Sequence, residues 1–299
     1  MDGRARLLLG AVAVAALVGF ALWRQVPATR VAVPTEQSPK AAAVQSPASA
    51  GMLGDGTGAQ AARGRPAAAD RVRAFEELKQ RAKAGDAVAQ RKLAEAYDAC
   101  FMVNLDREGF IKGLDLNRRM MREPARPAVL EQALHDRVAQ CDAVDGGAIV
   151  PVDLIRGWYA QAAENGDLPS RLMDNAFKQK SPDPAESARL FEEVLASNDP
   201  AAVFAMGGTL GTNYSVTPDD PTAALTTGEQ ASWAWMVAAC RMGYDCGPSS
   251  TLMGTLCLVQ NGCTGEDFEA YLKRDLRSNA ERRDLERRVT EILRLVEGQ

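Results

Sequence analysis

Histidine is almost missing: the 299 residues contain one, His135. A single imidazole leaves no H-E-x-x-H zinc site, and no Walker-type loop or G-x-S-x-G occurs either. His135 lies between Leu134 and Asp136 in a helical stretch, so a solvated helix histidine is expected rather than a catalytic base. Aromatic residues are scarce at 6%, while alanine is abundant. That composition disfavours a β-sandwich and suits closely packed helices. Basic residues are not in excess: the net charge is −4, and no Lys/Arg stripe interleaves with aromatics. Nucleic acid is therefore not an expected partner. Asp219-Asp220 stands in a Pro-containing loop, where making turns is the simpler role. Gly54-Asp55-Gly56-Thr57-Gly58 looks like a phosphate loop, but no strand precedes it. No cofactor and no metal are expected.

Long apolar runs are limited to one. Leu7 to Trp23 carries no charge over 17 residues, the short end of a membrane span. No cysteine follows it, so a lipoprotein cleavage site is missing. An uncleaved anchor over residues 1–24 is the expectation; a cleaved signal peptide is the alternative. Arg24 and Arg30 offset Arg4 and Arg6, so charge bias does not fix the orientation. A short N-terminal tail ahead of a large domain favours that domain outside the cytoplasm. The expected location is the bacterial inner membrane, single-pass, with residues 71–299 in the periplasm, or the free periplasm after cleavage. Residues 25–70 are rich in Ala, Pro, Ser and Gly and bury too little to offset chain entropy, which predicts a flexible tether.

The folded region reads as helices. Arg71–Ala84 and Ala87–Cys100 are predicted first, then a short helix over Asp115–Arg122 and another over Pro127–Asp142. Asp153 is the expected cap of the next helix. Asp183 or Ser181 is the expected cap of a helix ending at Ser197. Glu229–Met242 follows, and capping helices are expected over about 265–297, either two helices divided at the polar interval 277–284 or one long helix with an exposed middle. Four turns punctuate this series. LIRGWYAQAAENGDLPSRLM (154–173) spaces Ile155, Trp158, Tyr159 and Ala162 along one helical face, then turns at Gly166-Asp167. Gly166 can adopt the left-handed conformation that ends a helix, and Asp167 can cap the next. Related turns occur at Gly85-Asp86, at Asn198-Asp199 and at Gly243. The turns lie 81, 32 and 45 residues apart, so one diverged unit is expected inside the longest gap.

WYAQAAENGD (158–167), and after it residues 84–97, resemble the Sel1-like repeat family, a branch of the tetratricopeptide-like helical solenoids. The resemblance covers 82–100 and 155–260 in pieces; Met206-Gly207 and Met253-Gly254 stand where the family has Leu-Gly. It implies an all-α, right-handed α/α solenoid with a concave face for a protein or peptide partner. Trp158, Tyr159, Trp233 and Trp235 are the candidates for lining such a groove. Trp233 and Trp235, two apart on a helix, must face different ways, one of them into the core.

Six cysteines remain: Cys100, Cys141, Cys240, Cys246, Cys257 and Cys263. Outside the cytoplasm an even count suggests disulfides. Cys240 and Cys246 span the Gly243 turn, and Cys257 and Cys263 repeat that spacing. Local pairs are the working expectation, with Cys100–Cys141 joining the first repeat to the next unit. Crossed pairs (Cys240–Cys257 and Cys246–Cys263), free buried thiols and a four-cysteine zinc site are the alternatives. The functional expectation is a membrane-anchored helical-repeat scaffold for protein–protein interaction. An envelope enzyme acting on the cell wall, or a purely structural module, is the alternative.

Overall fold

Alanine-rich segments broken by glycine, Asn-Asp and proline form helices because each break supplies either a left-handed residue or a cap. In the computed structural model the described residues are 67–120, 126–178, 183–213, 222–228, 230–260 and 262–298. All fall in the unit Arg63–Gln299. Among them are thirteen α-helices, one short 3-10 turn (Asp145–Gly147) and no strand. The first six helices are α1 (Ala68–Lys83), α2 (Ala87–Leu105), α3 (Arg107–Met120), α4 (Arg126–Ala143), α5 (Val152–Glu164) and α6 (Leu168–Lys178). Then come α7 (Pro184–Ser197), α8 (Pro200–Asn213), α9 (Ala223–Thr226), α10 (Ala231–Arg241), α11 (Thr251–Gln260), α12 (Phe268–Asp275) and α13 (Asn279–Glu297). The expected anchor over 7–23, almost all of the expected tether, and Asp219-Asp220 lie outside the described residues. Among the described residues no helix is long and apolar enough to cross a membrane.

All four expected turns form. Gly85, Gly166 and Gly243 have φ of 93°, 93° and 106°, and Asn198 takes the left-handed conformation at φ 48°. Asp86 accepts from the Ala89 N–H, Asp167 from Ser170 and Asp199 from Ala201, so three of the four turns cap the helix that follows. Three expectations need correction. Residues 107–114, left unassigned by the spacing, belong with 115–120 to one helix, α3. Asp153 is not a cap: Pro151 occupies that position and Asp153 sits in the first turn of α5, where its charge suits the helix dipole. The first residues of α1 extend into the stretch assigned to the tether. The stretch between the Gly85 and Gly166 turns holds α3 and α4 besides α2 and α5.

The packing order follows the hairpins. α1 packs on α2, α2 on α5, α5 on α6, α6 on α8, α8 on α10, and α10 on α13; α4 packs on α11. One core gathers Phe191, Val203, Met206, Trp235, Leu285 and Ile292 from α7, α8, α10 and α13. Trp235 is fully enclosed, its ring edge-on to Phe191 at 5.4 Å, and its Nε1–H donates to the Leu225 carbonyl. A second core joins Leu93, Tyr97, Ile155 and Tyr159, and a smaller one joins Leu114, Leu130 and Leu258. At Gly207 the backbones of α8 and α10 approach so closely that a Cβ would lie 2.8 Å from the Ser232 carbonyl oxygen. The Ser232 hydroxyl uses this proximity to donate to the Gly207 carbonyl at 2.6 Å.

The last helices are tied to α10 by charge. Arg241 donates to Glu269 on α12 and to Glu286 on α13, both at 2.7 Å, and Lys273 adds a bond to Glu269 at 2.6 Å. The hydrogen bonds from Arg241 hold the Glu269 carboxyl down to about 2, against an ordinary 4.5. A folded-state pKa below the unfolded one contributes stability that is complete above about pH 4.5 and disappears as the pH falls to about 2. Glu269→Gln is expected to cost about 1–2 kcal/mol at neutral pH, solvent screening taken into account, and progressively less as the pH falls through about 2. Urea unfolding of both proteins across that range checks it.

Candidate functional site

α2 carries two polar residues where alanine and leucine would be expected. Gln90 and Arg91 are both buried. The amide of Gln90 donates to the Ala82 carbonyl in its own hairpin and accepts from Asn165 in the next turn. Arg91 Nε donates to both oxygens of Asp167 at 3.2 and 3.0 Å, and Nη1 donates to Glu95 at 2.8 Å. Burial opposes the charge on Arg91, but Glu95 and Asp167 outweigh it and hold its pKa above the usual value. The hairpins turning at Gly85-Asp86 and at Gly166-Asp167 are thus bonded through one helix.

This attachment sets α2 as one wall of a groove of about 940 Å³. α4, α8 and α11 and the loop after Gly243 supply the other walls. Arg137 of α4 forms part of the floor: Nη1 donates to the Ala99 carbonyl at 2.7 Å and Nη2 to the Thr255 hydroxyl at 2.8 Å. It therefore links α2 to α11. Burial pulls the pKa of Arg137 down, and Asp98 partly restores it. Asp98 is open to the groove, yet protein around it removes enough water to push its carboxyl above the ordinary value; Glu95 adds to this and Arg137 opposes it. Phe204 and Tyr244 stack at 4.2 Å between centroids, 11° from parallel, inside the same groove. Burial pushes the Tyr244 hydroxyl up to about 12, and the Tyr159 hydroxyl moves in the same direction for the same reason. The apolar side chains of Met102 and Val259 are left 59% and 70% exposed at this groove.

Each disulfide braces a wall. The sulfurs pair as Cys100–Cys141, Cys240–Cys246 and Cys257–Cys263, with Cα atoms 5.3, 5.6 and 4.2 Å apart. The local pairing is therefore the one formed, not the crossed one, and all six thiols are used. Cys100–Cys141 ties α2 to α4. Cys240–Cys246 closes the loop that holds Tyr244 against Phe204. Cys257–Cys263 fixes the end of α11 beside Leu258 and Val259.

The expected groove aromatics divide. Tyr159 lines the groove. Trp158 is half-buried against the α1–α2–α5 core, Trp235 is in the main core and Trp233 packs on that core from its edge, so none of the three tryptophans forms the site. Tryptophan's large apolar area was drawn into the helix interfaces instead. His135 is exposed on α4, with Nδ1 3.7 Å from Asp136. Sequence spacing missed Asp98, Arg137, Phe204 and Tyr244. The available signal was Arg91, whose i+4 relation to Glu95 in an alanine-rich helix marks a charge in need of a partner. No family model, no curated protein and no solved structure matches the chain.

Asp167→Ala removes a helix cap and leaves Arg91 buried with Glu95 alone. The expected loss is about 3–5 kcal/mol in chemical denaturation. Asp167→Asn keeps an acceptor for the cap and is expected to lose less.

Proposed function

We propose that this chain is a membrane-tethered, Sel1-like helical-repeat scaffold which holds a segment of a partner protein in the groove between α2, α4, α8 and α11. In this reading the helices stack as a right-handed α/α solenoid, residues 7–23 anchor it in the bacterial inner membrane, and the domain works in the periplasm. The observation that carries it is the groove itself. Disulfides brace α2, α4, α11 and the loop after Gly243, and its apolar side chains Met102 and Val259 are left open. Exposed apolar side chains in a braced concavity are what a docking segment covers. The disulfides fit an oxidising compartment.

A cell-wall hydrolase is the second reading, and one observation favours it: Glu95 and Asp98 both line the groove. They stand one turn apart on the same helix, and Glu95 is paired with Arg91 and Lys92. Carboxylates that cleave a glycosidic bond flank it from two sides. Asp199 and Asp245 line the groove from other walls, but Asp199 is used as a helix cap and Glu95 in ion pairs, so the acids serve binding better than cleavage. Release of soluble fragments from cell-wall sacculi, abolished by Asp98→Asn, would move the assignment to the hydrolase.

A photo-crosslinking residue placed at Val259 in the full-length protein tests the scaffold in isolated envelope membranes. The expected result is a discrete light-dependent protein adduct from Val259 and none from Glu291 on the exposed face of α13. No adduct from Val259, or equal adducts from both positions, would overturn the reading.

A further inference from the structure

The groove's charges are almost all accounted for within the protein. Arg91 is held by Glu95 and Asp167, and Lys92 is paired with Glu95 at 3.2 Å. Arg137 spends its donors on the Ala99 carbonyl and the Thr255 hydroxyl. Asp199 caps α8, and Asp245 accepts weakly from the Gly247 N–H at 3.4 Å. Asp98 differs: among the described residues no hydrogen bond or ion pair reaches its carboxylate. It nevertheless shares the groove with Tyr159, Tyr244 and Phe204. A groove-facing carboxylate near the Tyr159 ring, whose one neighbouring cation, Arg137, gives its hydrogen bonds elsewhere, is a site able to take a further cation. The lining as a whole has four acids, Glu95, Asp98, Asp199 and Asp245, against three bases, Arg91, Lys92 and Arg137.

We propose that the groove recognises a basic side chain, lysine or arginine, on an otherwise apolar segment of its partner, with Asp98 as counter-ion, Tyr159 beside it and the Tyr244–Phe204 stack lining the same groove. The inference rests on the groove being the partner site. The apolar flanks of the segment would cover Met102 and Val259, and the ammonium or guanidinium would replace the water that Asp98 now keeps. A negative segment would meet Asp98 and Glu95 as like charges. An uncharged one would leave Asp98 enclosed without a partner, which costs affinity.

Random dodecapeptides displayed on phage and selected on the full-length oxidised protein in detergent micelles are the probe. The expected enrichment is a lysine or arginine between apolar residues. A fluorescein-labelled synthetic copy of a selected peptide, followed by fluorescence polarisation, is expected to bind about tenfold more weakly when norleucine replaces the basic residue. Asp98→Asn should cause a similar loss, and the two losses should not add, as for groups that act as a pair. Val259→Arg, a change at an exposed position, should block the peptide while leaving the far-ultraviolet circular dichroism unchanged. If selected peptides are blocked by Val259→Arg but carry no basic residue, or are indifferent to Asp98→Asn, the cation inference falls and the groove reading stands. If no peptide is selected, or none is blocked by Val259→Arg, both fall. Chitosan oligosaccharides bound in an Asp98-dependent way, with no peptide bound, would assign the ammonium to a sugar and overturn a protein partner.

Discussion

Arg91 is a guanidinium removed almost wholly from water, and its position depends on the carboxylate of Asp167. An unpaired charge at that depth would cost several kcal/mol, so the pair is less a source of stability than a condition for this packing. The chain of causes is short. Gly166 has no Cβ and can turn left-handed; the turn delivers Asp167 to the start of α6; Asp167 caps Ser170 with one oxygen and takes the Arg91 Nε–H on both. α2 is thereby fixed against the second hairpin, and α2 carries Glu95, Asp98 and Met102 into the groove. Gly85-Asp86 has the same turn chemistry with a different outcome. There Arg81 pairs with Asp86 at 2.7 Å on the exposed surface, where such a pair contributes at most about 1 kcal/mol. Equal local sequence, unequal burial, and a difference of several-fold in consequence follow from the dielectric alone.

The fourth turn shows how a repeated element can be turned to another use. After Gly85, Gly166 and Asn198 comes an aspartate that caps the following helix. After Gly243 comes Tyr244. The capping role passes down the chain to Ser250, whose hydroxyl accepts from the Met253 N–H, and residues 244–250 form a loop between the helices. That loop would be loose without a constraint. Cys240–Cys246 closes it, and the Tyr244 N–H donates to the Ala239 carbonyl at 2.9 Å, so the ring stays stacked on Phe204. Sulfur chemistry here replaces the cap as the device that fixes the turn.

Helices, the four turns, the division of the last segment at Ser278 and the local cysteine pairs were legible because each depends on neighbours within about one or two turns of chain. Ser278 and Glu281 form a reciprocal capping box that three-residue spacing alone can reveal. The groove was not legible. Asp98 follows Tyr97 and precedes Cys100 in a stretch whose periodicity marks only which face is apolar; its lack of a partner depends on where Arg137, 39 residues later, spends its hydrogen bonds. The tryptophans misled for a related reason. Large aromatic area marks contact without saying whether the surface met is another helix of the same chain or a separate molecule. Tyr159 was placed in the groove for its pattern in the hairpin, and it lines the groove because α5 packs directly on α2.

A domain that satisfies Arg91, Gln90 and Arg137 so fully has the means to satisfy Asp98 as well. Instead Asp98, among the described residues, takes no hydrogen bond or ion pair, and the surrounding protein raises its pKa although the Arg137 charge opposes this. Local rules broken in an otherwise consistent structure tend to mark function, since a fold under no other demand would relax them. The braces around the groove point the same way. Each of the three disulfides holds part of the wall of the groove that Asp98 lines. A preformed cavity of that kind lowers the ordering entropy of binding, so a short apolar segment with one positive charge would suffice to occupy it.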